Sequence, residues 1–271
     1  MQYSVLDSIG RKFIALIRLF ILGVLVAPLL VTILLSLSKS FTFPPSGFTL
    51  GWYSNFLSRP EFIRGLSTSI ALGASTVIVA TALGSGLAFV LVRHTFMGAG
   101  LLKGLVLSPV SLPRIACGVS LFLFFVNLGV SGAFPELLAL HVIITCPYVV
   151  SVLTASLSEV DESLEQASMN LGANRYQTFR RVTLPLIRPG LVAGAIFAFV
   201  VSFDEVTAST FLVDAHTTTY PVVLFSYMER GGLDPTVAAG TSILLVPLLI
   251  LIFILDRYVG LGRALGIWRF S

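Results

Sequence analysis

Charge is scarce in this sequence. Only 11% of its 271 residues are Asp, Glu, Lys or Arg, while 56% are hydrophobic; soluble domains carry about 25% charged residues. That shortage excludes a soluble domain and describes a chain that crosses a membrane repeatedly. The net charge of +4 is no nucleic-acid signature, because the cations gather at the ends of apolar runs. Cysteine is almost absent: Cys117 and Cys146 both lie in apolar segments and read as small core residues rather than a disulfide. No G-x-x-x-x-G-K-[ST] occurs, so no phosphate loop binds ATP on this chain. The lack of H-E-x-x-H and G-x-S-x-G argues against a zinc or serine membrane hydrolase, and no cofactor motif is present. His94 and His141 have no metal-ligand company and read as structural. No cleavage site closes the first apolar run, which reads as a retained span.

What is present is a series of long apolar runs. A spanning helix needs about 20 mainly apolar residues, and the runs predict six spans near 13–37, 66–92, 104–128, 137–157, 190–213 and 236–255. The expected fold is an all-α membrane protein, with 1–271 forming a single transmembrane domain. With the N-terminus inside, twelve of the 17 cations fall in inner segments, four fall in outer ones, and Arg114 remains in the membrane. The positive-inside rule therefore places both termini and the segment 158–189 in the cytoplasm. The outer stretch Lys39–Ile63 is rich in aromatics, among them Phe41, Phe43, Phe48, Trp52, Tyr53 and Phe56. It reads either as an interfacial belt or as a contact for an extracytoplasmic protein. Small residues crowd the second span, including Gly73, Ala80, Gly84 and Ala88, which lets helix backbones approach closely.

The segment SEVDESLEQASMNLGANRYQTFRRVTLPLIRPG, Ser158–Gly190, is the one long polar island between spans. Asp161 or Ser163 caps a helix there, with Glu159, Asp161, Glu162 and Glu165 near its positive end. Leu164, Ala167 and Leu171 recur at helical spacing, and Gly172 ends the run in a left-handed conformation. Leu184-Pro185 and Arg188-Pro189 open the next helix.

Gln166-Ala167-Ser168, then Gly172 after three residues, then Val182 after nine more, then Thr183-Leu184-Pro185, resembles the EAA loop of permease subunits of ABC importers. The spacing fits throughout. Gln166 stands where that family usually has Glu and Ser168 where it has a second Ala, and Glu165 supplies part of the missing charge one residue earlier. The resemblance implies a MetI-like permease in which Glu165, Gln166, Ala167, Ser168, Gly172, Val182, Leu184 and Pro185 couple to an ATPase. It also implies a second permease subunit, identical or homologous, two cytoplasmic ATPase subunits that hold the ATP and Mg, an extracytoplasmic solute-binding protein, and no cofactor or metal on this chain. By the same resemblance the chain is not itself an enzyme and lies in a bacterial inner membrane.

Arg114, Asp204 and Glu205 are ionisable groups in expected spans, where each costs about 2.5–3.5 kcal/mol at the centre unless it faces protein or water. Pro109, Pro113 and Arg114 predict a break in the third span. On a helix, Asp204 and Glu205 point about 100° apart, so one faces a solute route while the other pairs with Arg114 or caps a break. Phe203 and its aromatic neighbours offer either packing or a cation-binding wall. The stretch Ser202–Phe211 is similar to the fifth span of polyamine-type permeases, which carry paired acids there. Those permeases commonly have Asp after the third-span proline, where this chain has Arg114. The resemblance thus implies import of a polyamine-like solute, with Arg114, Phe203, Asp204 and Glu205 as candidate pathway residues. The charge set of two acids and one base also suits a zwitterion or a small anion. An ion-coupled transporter or channel using the same charges, and a non-transporting scaffold that holds an ATPase, are the remaining alternatives.

Overall fold

A computed structural model describes residues 2–42, 44, 45, 47–130, 132–231 and 234–259, with side chains except at 2–9, 11, 12, 247–249 and from 251 on. Phe43 therefore lies outside the described residues. The described chain is helical, with only an isolated bridge between Ser38 and Phe48. It divides into two compact units, the first formed by 1–60 and 227–251, the second by 61–226 and the residues from 252.

In the first unit, α1 (Gln2–Ser36) is an almost wholly exposed apolar helix, as a lipid-facing or subunit-facing span must be. Pro28 sits inside it, and Thr32 Oγ1 donates to the Pro28 carbonyl at 2.9 Å. The aromatics after α1 differ in exposure. The short helix α2 (Gly51–Ser58) buries Phe56 completely, while Phe41 and Phe48 stay exposed. Trp52 Nε1 donates to the Ser38 carbonyl at 2.9 Å, and the Tyr53 hydroxyl lies 2.7 Å from Ser36 Oγ. Tyr53 and Asn55 also reach the last helix, α11 (Pro235–Val259), through Ser242 and Thr236 at 3.0 and 2.9 Å.

In the second unit, α3 (Pro60–Arg93) is followed by α4 (Ala99–Leu107), α5 (Arg114–Asn127), α6 (Ala133–Ser158), α7 (Glu162–Asn170), α8 (Arg175–Thr178), α9 (Leu184–Phe203) and α10 (Tyr220–Glu229). Helix α6 packs chiefly on α9. The core forms where small residues admit large ones: Gly84 of α3 lies against Val149 of α6, where an added Cβ would come within 2.6 Å. Gly190 of α9 likewise lies against Ser156. Among the buried small residues of α3, Gly73, Ala80, Gly84 and Ala88 share one helical face.

Four described helical stretches are long and apolar enough to cross a membrane: 13–36, 60–93, 133–158 and 175–203. The expected third span is two helices, Ala99–Val110 and Arg114–Asn127, bent by 103° across the Pro113 junction. The expected sixth span, 236–255, falls within α11. The expected fifth span, 190–213, is corrected at both ends. Its helix begins at Leu184 and stops at Phe203, so Asp204 and Glu205 lie beyond it and are not set 100° apart by a helix.

Candidate functional site

The polar segment 158–189 folds as its local chemistry directs. The Asp161 carboxylate accepts the Ser163 backbone N–H at 2.8 Å and so caps α7. That bond holds the Asp161 carboxyl below its ordinary 3.8, so the cap is complete at neutral pH and is lost only as pH falls through the lowered value. Gly172 ends α7 at φ +91°, a conformation that glycine adopts without steric cost. Asn174 and Gln177 form a capping box that starts α8. A π turn, Phe179–Thr183, then precedes Pro185 at the start of α9. The wider turn relieves the clash a proline ring makes with the carbonyl four residues earlier, so 175–203 continues as one apolar helical stretch.

Helix α7 has no fully buried residue. Leu164 is 49% exposed and Leu171, just beyond the helix, 90%; Ala167 between them is also exposed, so the apolar stripe faces outward. Gln166, Gly172 and Pro185 are exposed as well, while Ser168, Val182 and Leu184 are half-buried. Glu165 is turned the other way. Its Oε1 accepts from Arg93 Nη2 at 3.1 Å, from Arg93 Nε at 3.3 Å and from Thr183 Oγ1 at 2.9 Å. The Glu165 charge, expected to supply part of what Gln166 lacks, is therefore engaged by Arg93 and Thr183. Sequence reasoning missed Arg93 and Thr183: Arg93 was simply one of the inner cations, and Thr183 the variable position before Leu184-Pro185.

The second cluster surrounds the end of α9. Asp204 caps the helix and is exposed, while Glu205 is buried. Glu205 Oε1 accepts the Ala208 backbone N–H at 2.7 Å, and Oε2 faces Arg114 Nε at 3.7 Å. Arg114 Nη2 reaches the Tyr148 hydroxyl at 3.5 Å, and Arg114 Nη1 is buried without a hydrogen-bond partner among the described residues. Thus Glu205 both pairs with Arg114 and caps the break, leaving Asp204 as the exposed acid. Buried His141 bridges the same break, with Nδ1 2.7 Å from Ser202 Oγ and Nε2 3.0 Å from Ser209 Oγ. The side chain of α6 thereby ties together the chain before and after the break. Phe203 stacks on Phe199 and tilts against Tyr220, with ring centroids 5.7 and 6.5 Å apart. The proposed pathway set is thus brought together only in part: Arg114 and Glu205 meet, and Asp204 stands beside them on the exposed side of the helix end.

Long apolar helices, a broken span with charges at its breaks and an outward apolar stripe on a polar loop define a membrane-embedded transport subunit. The chain belongs to the family of binding-protein-dependent transport system inner membrane components, whose model matches residues 4–262; it is a MetI-like permease subunit of an ABC importer. It is 29% identical to the Escherichia coli K12 spermidine/putrescine transport system permease protein PotC, over 90% of this chain and 92% of that protein. It is 30% identical to the E. coli K12 putrescine transport system permease protein PotI, over 82% and 81%. The trehalose transport system permease protein SugB of Mycobacterium tuberculosis is 28% identical over 93% and 95%. Among solved structures, a bacterial ABC transporter that imports alginate shares the fold at TM-score 0.70 and 16% identity, over 93% of this chain and 97% of that one. The MetNI methionine transporter does so at 0.57 and 21%, over 77% and 96%.

Proposed function

We propose that this chain is the solute-conducting subunit of an ABC importer for a polyamine-like organic cation, working with a second permease, two ATPase subunits and an extracytoplasmic binding protein. Both termini and α7 lie in the cytoplasm of a bacterial inner membrane. The chain binds no cofactor and has no ATP site of its own; the partner ATPases hold ATP and Mg. The observation that carries this reading is the outward stripe Leu164–Ala167–Leu171 on a helix with no fully buried residue. A polar, water-exposed helix that leaves leucines uncovered is built to be covered by a partner. Gln166, Ala167 and Gly172 belong to that docking face. Ser168, Val182, Leu184 and Pro185 shape the loop behind it, and Glu165 holds it from within.

ATP closing the ATPase pair moves α7, and that motion opens the bundle outward to receive solute from the binding protein; hydrolysis reverses it. Exposed Asp204 attracts a cationic solute, and Phe203 offers it an aromatic face. The polyamine class is supported by the likeness to PotC and PotI. A second reading, a zwitterion or small anion, is favoured by Arg114, whose Nη1 has no hydrogen-bond partner among the described residues. The test is ATP hydrolysis by the assembled complex in lipid discs, with its binding protein and a panel of polyamines, amino acids and organic acids. Stimulation by polyamines alone supports the first reading; stimulation by an amino acid or organic anion replaces it with the second. If no solute in the panel stimulates hydrolysis, the proposed substrate classes are wrong.

A further inference from the structure

We propose that Arg93 is the positioning residue through which movement of α7 reaches the membrane-spanning helices, the strut between the docking helix and the bundle. This rests on the reading of α7 as the ATPase-docking element. Helix α7 has no fully buried residue, and its apolar side chains Leu164 and Met169 stay 49% and 41% exposed, so apolar packing holds it only loosely to the rest of the chain. Behind it lies a cavity of about 660 Å³, whose walls include Phe89 and Val90 of α3, Met169 of α7 and Phe179 of the π turn. That open space separates parts of α7 from α3.

Polar contacts bridge the gap. The Arg93 side chain, in the last turn of α3, is 8% exposed, and the Glu165 side chain 14%. The guanidinium donates twice to Glu165 Oε1, donates to the Val160 carbonyl at 3.0 Å and lies 3.5 Å from Glu162 Oε1. Its planar fork lets one side chain hold the linker before α7, the first turn of α7 and an inward acid together, which a single lysine ammonium cannot match. The same Glu165 oxygen accepts the Thr183 hydroxyl at the entrance to α9. One carboxylate oxygen therefore joins α3, α7 and the start of α9, two of which are long spans. Ser168 Oγ to Thr178 Oγ1, at 3.2 Å, is a further tie of α7, and it reaches only the neighbouring α8. Charge-assisted hydrogen bonds in a mostly buried setting are the stiffer kind, and they are placed where the apolar packing is loose.

The test uses the whole complex in proteoliposomes and reads solute taken up per ATP hydrolysed, alongside the amount of ATPase that copurifies. The expected result for Arg93→Ala is a fall in that ratio of about 2- to 30-fold, the range over which residues along a coupling route act. Arg93→Lys recovers part of the loss. Should Arg93→Ala fail to assemble, Thr183→Val, which removes one donor to Glu165 while keeping the side-chain shape, is expected to lower the ratio by a smaller factor. An unchanged ratio in the assembled Arg93→Ala complex, or in the assembled Thr183→Val complex where Arg93→Ala does not form, overturns the proposal. A purely structural Arg93 would reduce yield and leave the ratio intact, which also overturns it. If the unaltered complex neither retains an ATPase nor accumulates solute, it is the docking reading that fails.

Discussion

Arg93 and Arg114 each face a glutamate, Glu165 at 3.1 Å and Glu205 at 3.7 Å. Around Arg93, the carboxylate takes three donors and the guanidinium also satisfies a backbone carbonyl. Around Arg114, the pair is beyond hydrogen-bond length, Tyr148 is at the limit of contact, and Nη1 has no hydrogen-bond partner among the described residues. A buried charge pair is firm only when its remaining polar atoms are satisfied. The same two residue types thus make a closed joint at the polar loop and an open one at the break of the spans. The closed joint suits a part that must move as a unit, and the open one a part that must rearrange or meet solute.

Substitutions separate the two joints. Glu165→Lys places a second cation against Arg93 and is expected to cost about 3–5 kcal/mol, seen as loss of assembled complex and of ATP-driven uptake. Glu205→Ala removes both the partner of Arg114 and the acceptor for the Ala208 N–H, for about 2–3 kcal/mol. Glu205→Gln keeps an acceptor for that N–H and should lower the thermal midpoint less. Equal losses would mean that the Arg114 pair, not the cap, stabilises the break. Gly172→Ala forces a side chain into φ +91° at the end of α7 and costs about 1–2 kcal/mol, read as a smaller fall in the same midpoint. Asp204→Asn should leave stability within about 0.5 kcal/mol and weaken uptake of a cationic solute; unchanged uptake kinetics would make Asp204 irrelevant to the route.

Local chemistry was legible in the sequence. The cap, at Asp161 rather than the alternative Ser163, the left-handed Gly172 and the break at Pro113-Arg114 each depend on one or two adjacent residues, and each lies where the sequence placed it. The stripe Leu164–Ala167–Leu171 on α7 was legible in its helical spacing, while its outward direction is seen only in the fold. Less legible was anything set by partners distant in the chain. Glu165 turns inward because Arg93, 72 residues earlier, is there to receive it. The helix α9 ends at Phe203 rather than near Val213 because Glu205 and His141, from outside the helix, satisfy groups at the break. A signal for His141 was nonetheless present: a histidine in an expected span needs polar partners, and Ser202 and Ser209 flank the paired acids. The π turn before Pro185 left no comparable mark.

The most direct test of the closed joint is a distance. Spin labels at exposed Ser163 on α7 and Val90 on α3 report the Arg93–Glu165 connection, and labels at Ile115 and Thr207 report the Arg114–Glu205 break. Both distances are measured in the assembled complex without nucleotide and with ATP trapped. The expected result is a Ser163–Val90 distance that holds constant while the Ile115–Thr207 distance shifts. A Ser163–Val90 change of about one helical turn, ~5 Å, with the ATPase still bound would show that α7 moves independently of α3 and would contradict the account.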